Sequence, residues 1–143
     1  MTYGPAPGSP ITVGPSPYPA GEAYSRYYNP VTISLASNQV WTTDQLLGGE
    51  LRRNCNGGAR NDTTPTAAQF IAAFGLVPNG AGVEFQVRNT SPTAVTLTIT
   101  AGANVTTVGT AALSLAQNEL GFFAVRALTP TTVELVSQTK GAG

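Results

Sequence analysis

Seven of the eleven prolines and all five tyrosines of this 143-residue chain fall within its first thirty residues. The run from Tyr3-Gly4-Pro5-Ala6-Pro7-Gly8 to Tyr24-Ser25-Arg26-Tyr27-Tyr28-Asn29-Pro30 cannot build a core of its own. Proline withholds backbone donors, and the apolar side chains follow neither the helical nor the strand period. Residues 1–30 therefore read as an extended arm that takes its order from a surface outside itself. Fixing a backbone residue costs about 1–2 kcal/mol, so about thirty of them cost roughly 30–60 kcal/mol, less what proline has already restricted. At about 25 cal/mol per Å² of apolar surface, offsetting this needs on the order of 1,200–2,400 Å² buried, the scale of a protein–protein interface. The arm is expected to lie on a neighbour.

Composition narrows what the rest can do. Charged residues make up 10% of the chain, the formal net charge is zero, and the basic residues are scattered apart from Arg52-Arg53. A nucleic-acid binder advertises a basic face, and none is written here. Histidine is absent, which removes the commonest general base and the commonest nitrogen ligand for a metal. The seven carboxylates are dispersed at spacings that suggest neither a glycosidase pair nor a calcium loop. Cys55 is the only cysteine, so it reads as a half-buried structural residue and not a nucleophile. No enzyme, metal site or cofactor is expected. No apolar run reaches the length of a membrane span, and Met1-Thr2-Tyr3 lacks a secretory signal's basic start, so synthesis in a cytoplasm is expected.

Beyond the arm, residues 31–49 read as a strand and connector and residues 50–143 as a β domain. Val31-Thr32-Ile33-Ser34-Leu35 alternates as a half-buried strand, and Gly48-Gly49 is hinge-like. Glu50 to Asp62 is the most polar stretch, a strand followed by a turn in which Asn56-Gly57-Gly58 tolerates positive φ. One short helix is predicted over about Pro65–Phe74, capped by Thr63 or Thr64, with Pro65 in its first position and Gly75 just past its end. Its face of Ala67, Phe70, Ile71 and Phe74 should pack on a sheet.

From residue 83 the period is two, which predicts strands in a meander: Val83, Phe85 and Val87 on one side, then Val95, Leu97 and Ile99, and further strands near 104–108, 112–115, 120–128 and 131–137. Short strands with turns every eight to twelve residues predict an all-β fold, a small antiparallel β-sandwich or barrel. Glu84 is expected to pair with Arg88 or Arg126 across neighbouring strands. In Leu120 to Leu128 both faces carry apolar residues, so the strand is either central to the fold or meets another subunit. Trp41, Phe122 and Phe123 are the candidates for contacts between copies.

Three segments carry a family resemblance, which spans Glu50 to Val136. They are Asp62-Thr63-Thr64-Pro65-Thr66-Ala67-Ala68-Gln69 leading into a helix that ends in Phe74-Gly75, Gly82-Val83-Glu84-Phe85-Gln86-Val87-Arg88-Asn89-Thr90, and Val95-Thr96-Leu97-Thr98-Ile99-Thr100. This order resembles the small β domains of tailed-phage virion proteins, especially cyanophage-like capsid decoration (cement) proteins. The resemblance implies a homotrimer on the outer capsid surface, seated where major capsid protein subunits meet. The arm is not part of the shared pattern.

Joined to the arm, that resemblance leads to a decoration protein whose domain supplies the oligomer and whose arm grips the shell. About thirty residues of polyproline helix at about 3.1 Å each reach on the order of 90 Å. Tyr3, Tyr18, Tyr24, Tyr27 and Tyr28 are the expected anchors, since tyrosine brings large contact area, little rotamer entropy and a hydroxyl. The alternative is a trimeric fibre or spike module binding host-surface glycan through the loops at Asn89–Pro92 or Gln117-Asn118.

Overall fold

A computed structural model of the chain describes residues 28–142. The arm positions Tyr3, Tyr18, Tyr24 and Tyr27 lie outside the described residues. In chain order the elements are β1 (Val31–Ser34), α1 (Thr43–Leu47), β2 (Glu50–Asn54), β3 (Arg60–Thr63), α2 (Ala67–Phe74), β4 (Val83–Asn89), β5 (Leu97–Thr100), β6 (Val105–Val108), a 3-10 turn at Ala111–Leu113, β7 (Ser114–Leu115), β8 (Glu119–Thr129) and β9 (Thr132–Ala142). The fold is mostly β, in two sheets. One has the order β1-β2-β4-β8-β9-β6 and the other β3-β5-β7.

The expected antiparallel meander is corrected: both sheets are mixed. β1/β2, β2/β4, β6/β9 and β3/β5 run parallel, while β4/β8, β8/β9 and β5/β7 run antiparallel. Period-two alternation fixes which face a side chain takes but not the direction of the neighbouring strand. The turn at Asn56 and Gly57 (φ 54° and 92°) has the predicted chemistry, yet it passes the chain from the large sheet to the small one. Strands that return later then lie beside earlier ones, and β8/β9 alone joins sequence neighbours as an antiparallel hairpin within the large sheet.

Among the described residues two helices are present where one was expected. The second, α1, is a single turn announced by a capping box: Thr42 accepts from the Gln45 amide at 3.3 Å, and the Gln45 side chain accepts from the Thr42 amide at 2.9 Å. The predicted helix starts later than expected, with Thr66 and not Thr63 or Thr64 as its cap. Thr66 and Gln69 close the same reciprocal box at 3.2 and 2.9 Å, and Pro65 precedes the cap. Thr63 is occupied as the last residue of β3, while the Thr64 hydroxyl donates to the Pro65 carbonyl and accepts from the Gly102 amide. The end is as expected, with Gly75 left-handed at φ 65°.

The inward face of α2 packs as its spacing requires, with Ala67 and Phe70 buried and Ile71 and Phe74 partly so. Phe70 stacks on Phe85 (centroids 6.4 Å apart), Phe85 stacks on Phe123 (5.4 Å), and Phe74 meets Phe70 edge-on (5.6 Å). Trp41, Leu46 and Leu51 belong to the same core, as do Leu97, Ile99 and Leu115 of the small sheet.

A charged pair sits inside this core. Arg53 of β2 is fully buried, and each of its five N–H groups has an acceptor: both Asp62 carboxylate oxygens and the carbonyls of Leu35, Ser37 and Asn54. Asp62 of β3 also accepts from the Trp41 indole at 2.8 Å and the Gln39 amide at 2.9 Å. The Arg53–Asp62 pair therefore connects the two sheets and pins the 35–41 connector between them.

Candidate functional site at the arm root

The arm meets the domain at a built structure. The Asn29 amide donates to the Gly48 carbonyl at 2.8 Å, and the Tyr28 hydroxyl donates to Glu50 Oε1 at 2.7 Å. Asn29 passes so close to Gly48 that a side chain there would collide with the Asn29 carbonyl. Gly49 follows at φ 93°, and the Tyr28 ring lies 3.5 Å from the point where a Gly49 side chain would begin. The hinge-like pair seen in the sequence is thus the seat on which the arm root rests.

Strand register assembles the rest. Glu50 and Arg52 share the outer face of β2, and Arg52 is aligned with Arg88 on β4. Arg52 Nε and Arg88 Nε each donate to Glu50 Oε2 at 3.0 Å, and Arg52 Nη2 reaches the Tyr28 oxygen at 3.4 Å. Burial alone would push the Glu50 carboxyl up; the hydrogen bonds from Tyr28, Arg52 and Arg88 together outweigh it and hold the group below the usual carboxylate value. Two guanidinium groups on one carboxylate leave the root with one net positive charge. Arg88 pairs with Glu50, and Arg126 with Glu134 at 2.7 Å.

Beside the root lies a hollow. Glu50, Gln86, Phe122 and Thr139 form one row across the outer face of β2, β4, β8 and β9. A bulge between Phe122 and Phe123 leaves Gln138 with no register partner, next to Thr139. The result is an open depression of about 350 Å³ whose lining includes Gly49, Glu84, Gln86, Phe122, Gln138 and Thr139. A second depression, about 340 Å³, shares Glu84 and continues over Ala124, Arg126 and Val136.

Among the described residues that the sequence predicted as site residues, Tyr28 and Phe122 lie on this face. Trp41 and Phe123 are 1% exposed, interior residues of the single chain, which corrects their assignment as contacts between copies. Trp41 is drawn inward because Asp62 accepts its indole N–H, and Phe123 because it occupies the inward side of a central strand. Cys55 is fully buried and not half-buried. At the loops offered for glycan binding, the Asn89 amide group is consumed internally, donating to the Val95 and Leu115 carbonyls and accepting from the Ser91 amide. Glu50, Gly49, Gln86 and Arg88 were missed as site residues; alternation of Glu50 and Arg52 across a strand beginning at Gly48-Gly49 was the available signal.

Among the described residues, no three His, Cys, Asp or Glu side chains gather as a metal site would require, and no helix is long and apolar enough to cross a membrane. No protein-family model, curated protein or solved structure matches the chain.

Proposed function

We propose that the chain is a structural protein of a phage virion: a decoration protein that binds the outer surface of the head and stabilises contacts between major capsid protein subunits. In this reading the two sheets form a small β-sandwich, three copies make a knob, and each arm runs from its root across a subunit boundary. Tyr3 and Tyr18 are the distal anchors, and Tyr24, Tyr27 and Tyr28 lie nearest the domain. Its home is the outer capsid surface, reached after synthesis in a host cytoplasm.

The observation that carries the reading is the clasp of Tyr28 on Glu50 and Asn29 on Gly48. A Pro/Tyr-rich tail that served no purpose would need no fixed point of departure. A grip does, because a defined exit restricts the directions the arm must search and lowers the entropy lost on binding. The low charge of the domain supports the same reading, since such a surface suits packing against protein better than binding nucleic acid. The test is co-sedimentation of the full-length chain with empty shells assembled from the major capsid protein of the same genome, alongside light scattering of the free protein. Saturable binding and a trimer mass are expected.

A further inference from the structure

The hollow beside the arm root has the chemistry of a peptide seat. Its lining includes half-buried Phe122 together with Gln86, Gln138 and Thr139. An aromatic residue among hydrogen-bonding side chains is what an extended segment with tyrosines needs, since each ring finds an apolar face and each hydroxyl a partner. Twenty-seven residues precede Tyr28, and the segment nearest to it reads Tyr24-Ser25-Arg26-Tyr27. Arg26 between the tyrosines carries the charge opposite to that of Glu84 in the hollow's lining.

We propose that this hollow seats the proximal end of the chain's own arm, Tyr24 to Tyr27, with a tyrosine ring on Phe122. The place where the described chain begins selects this occupant. The Tyr28 ring lies against Gly49, and Gly49 is part of the hollow's lining, so the described chain begins beside the hollow. Tyr24, four residues earlier, is within roughly 13 Å of Tyr28 at about 3.3 Å per residue, enough to cross the row from Gln86 to Thr139. A tethered segment this short has a very high effective concentration, so a sister copy's arm would have to displace one already in place. Seating Tyr24 to Tyr27 extends the clasp, aims the arm, and leaves Tyr3, Tyr18 and the prolines between them to reach a partner. The inference does not depend on what that partner is.

The test is ¹⁹F NMR of the full-length chain carrying 3-fluorotyrosine, with the resonances assigned by single Tyr→Phe changes. The Tyr24 or Tyr27 signal is expected to be shifted away from those of Tyr3 and Tyr18, and Phe122→Ala should abolish that shift. Thr139→Trp provides a second variant should Phe122→Ala fail to fold; it fills the hollow from an exposed strand position and should likewise return the signal to the solvent position. Tyr24 and Tyr27 signals coincident with Tyr3 and indifferent to both variants would overturn the proposal. A shift that disappears on dilution would also overturn it, assigning the seat to a second copy's arm.

Discussion

The Tyr28 hydroxyl donates to the Glu50 carboxylate at 2.7 Å, so the residue at which the arm joins the domain is held by a charge that Arg52 and Arg88 also share. The clasp thereby couples arm geometry to the protonation state of one carboxyl.

Acid should weaken that coupling. A carboxyl whose folded-state pKa lies below its unfolded value, about 4.3 for glutamate, stabilises the fold above that value and loses the contribution as pH falls through the folded one. Glu50 is shifted in this direction, as is Glu119, which accepts from the Ala116 amide and Lys140. Denaturant unfolding should therefore show stability independent of pH between about 7 and 5 from these groups and a decline below about 4. Glu50→Gln should cost about 2 kcal/mol at pH 7, because it leaves two arginines sharing a neutral acceptor, and should shrink the acid-limb decline without abolishing it.

Gly48→Ala tests the root without touching charge. The added methyl collides with the Asn29 carbonyl, so Asn29 must leave the Gly48 carbonyl. Shell affinity is expected to fall more than tenfold while the unfolding midpoint of the domain moves little. Equal loss of both would mean that the root belongs to the core and not to a grip.

Asp62→Asn is expected to be among the most damaging single changes. It leaves the Arg53 guanidinium, fully buried between the sheets, without its counter-charge; breaking a buried pair in this way costs roughly 3–5 kcal/mol. Trp41→Phe removes only the indole donor to the same carboxylate and should cost about 1.5–3 kcal/mol. Urea unfolding of the two variants checks the order.

Phe85→Ala removes the middle ring of the Phe70–Phe85–Phe123 stack. A loss of about 3–5 kcal/mol is expected from transfer and cavity terms together, read as a lower denaturant midpoint with an unchanged slope.

Local chemistry was legible in the sequence, and long-range pairing was not. The α2 face, its Gly75 terminus, the Asn56-Gly57 turn and most strands follow from period and turn residues that act over a few positions. Parallel pairing of β1 with β2 and of β2 with β4 is decided by which sheet the chain rejoins, and no residue spacing encodes that. Thr42 and Gln45 wrote a capping box, but one turn of helix is too short for a hydrophobic period to reveal. Arg53 stood in the sequence only as half of the Arg52-Arg53 pair; strand alternation beside Leu51 puts it inside, and its partner Asp62 comes from the other sheet. The site was half legible: Tyr28 and Gly48-Gly49 stood out, whereas Glu50 gained its role only when Arg88 arrived from 38 residues away.

The most direct measurement is co-sedimentation with undecorated shells of two proteins, the full-length chain and a variant lacking residues 1–27. That variant retains the Tyr28–Glu50 and Asn29–Gly48 contacts. Both are expected to be folded, with the same cooperative unfolding transition, and only the full-length chain is expected to bind. Full affinity in the shortened chain would contradict the claim that the arm is the grip.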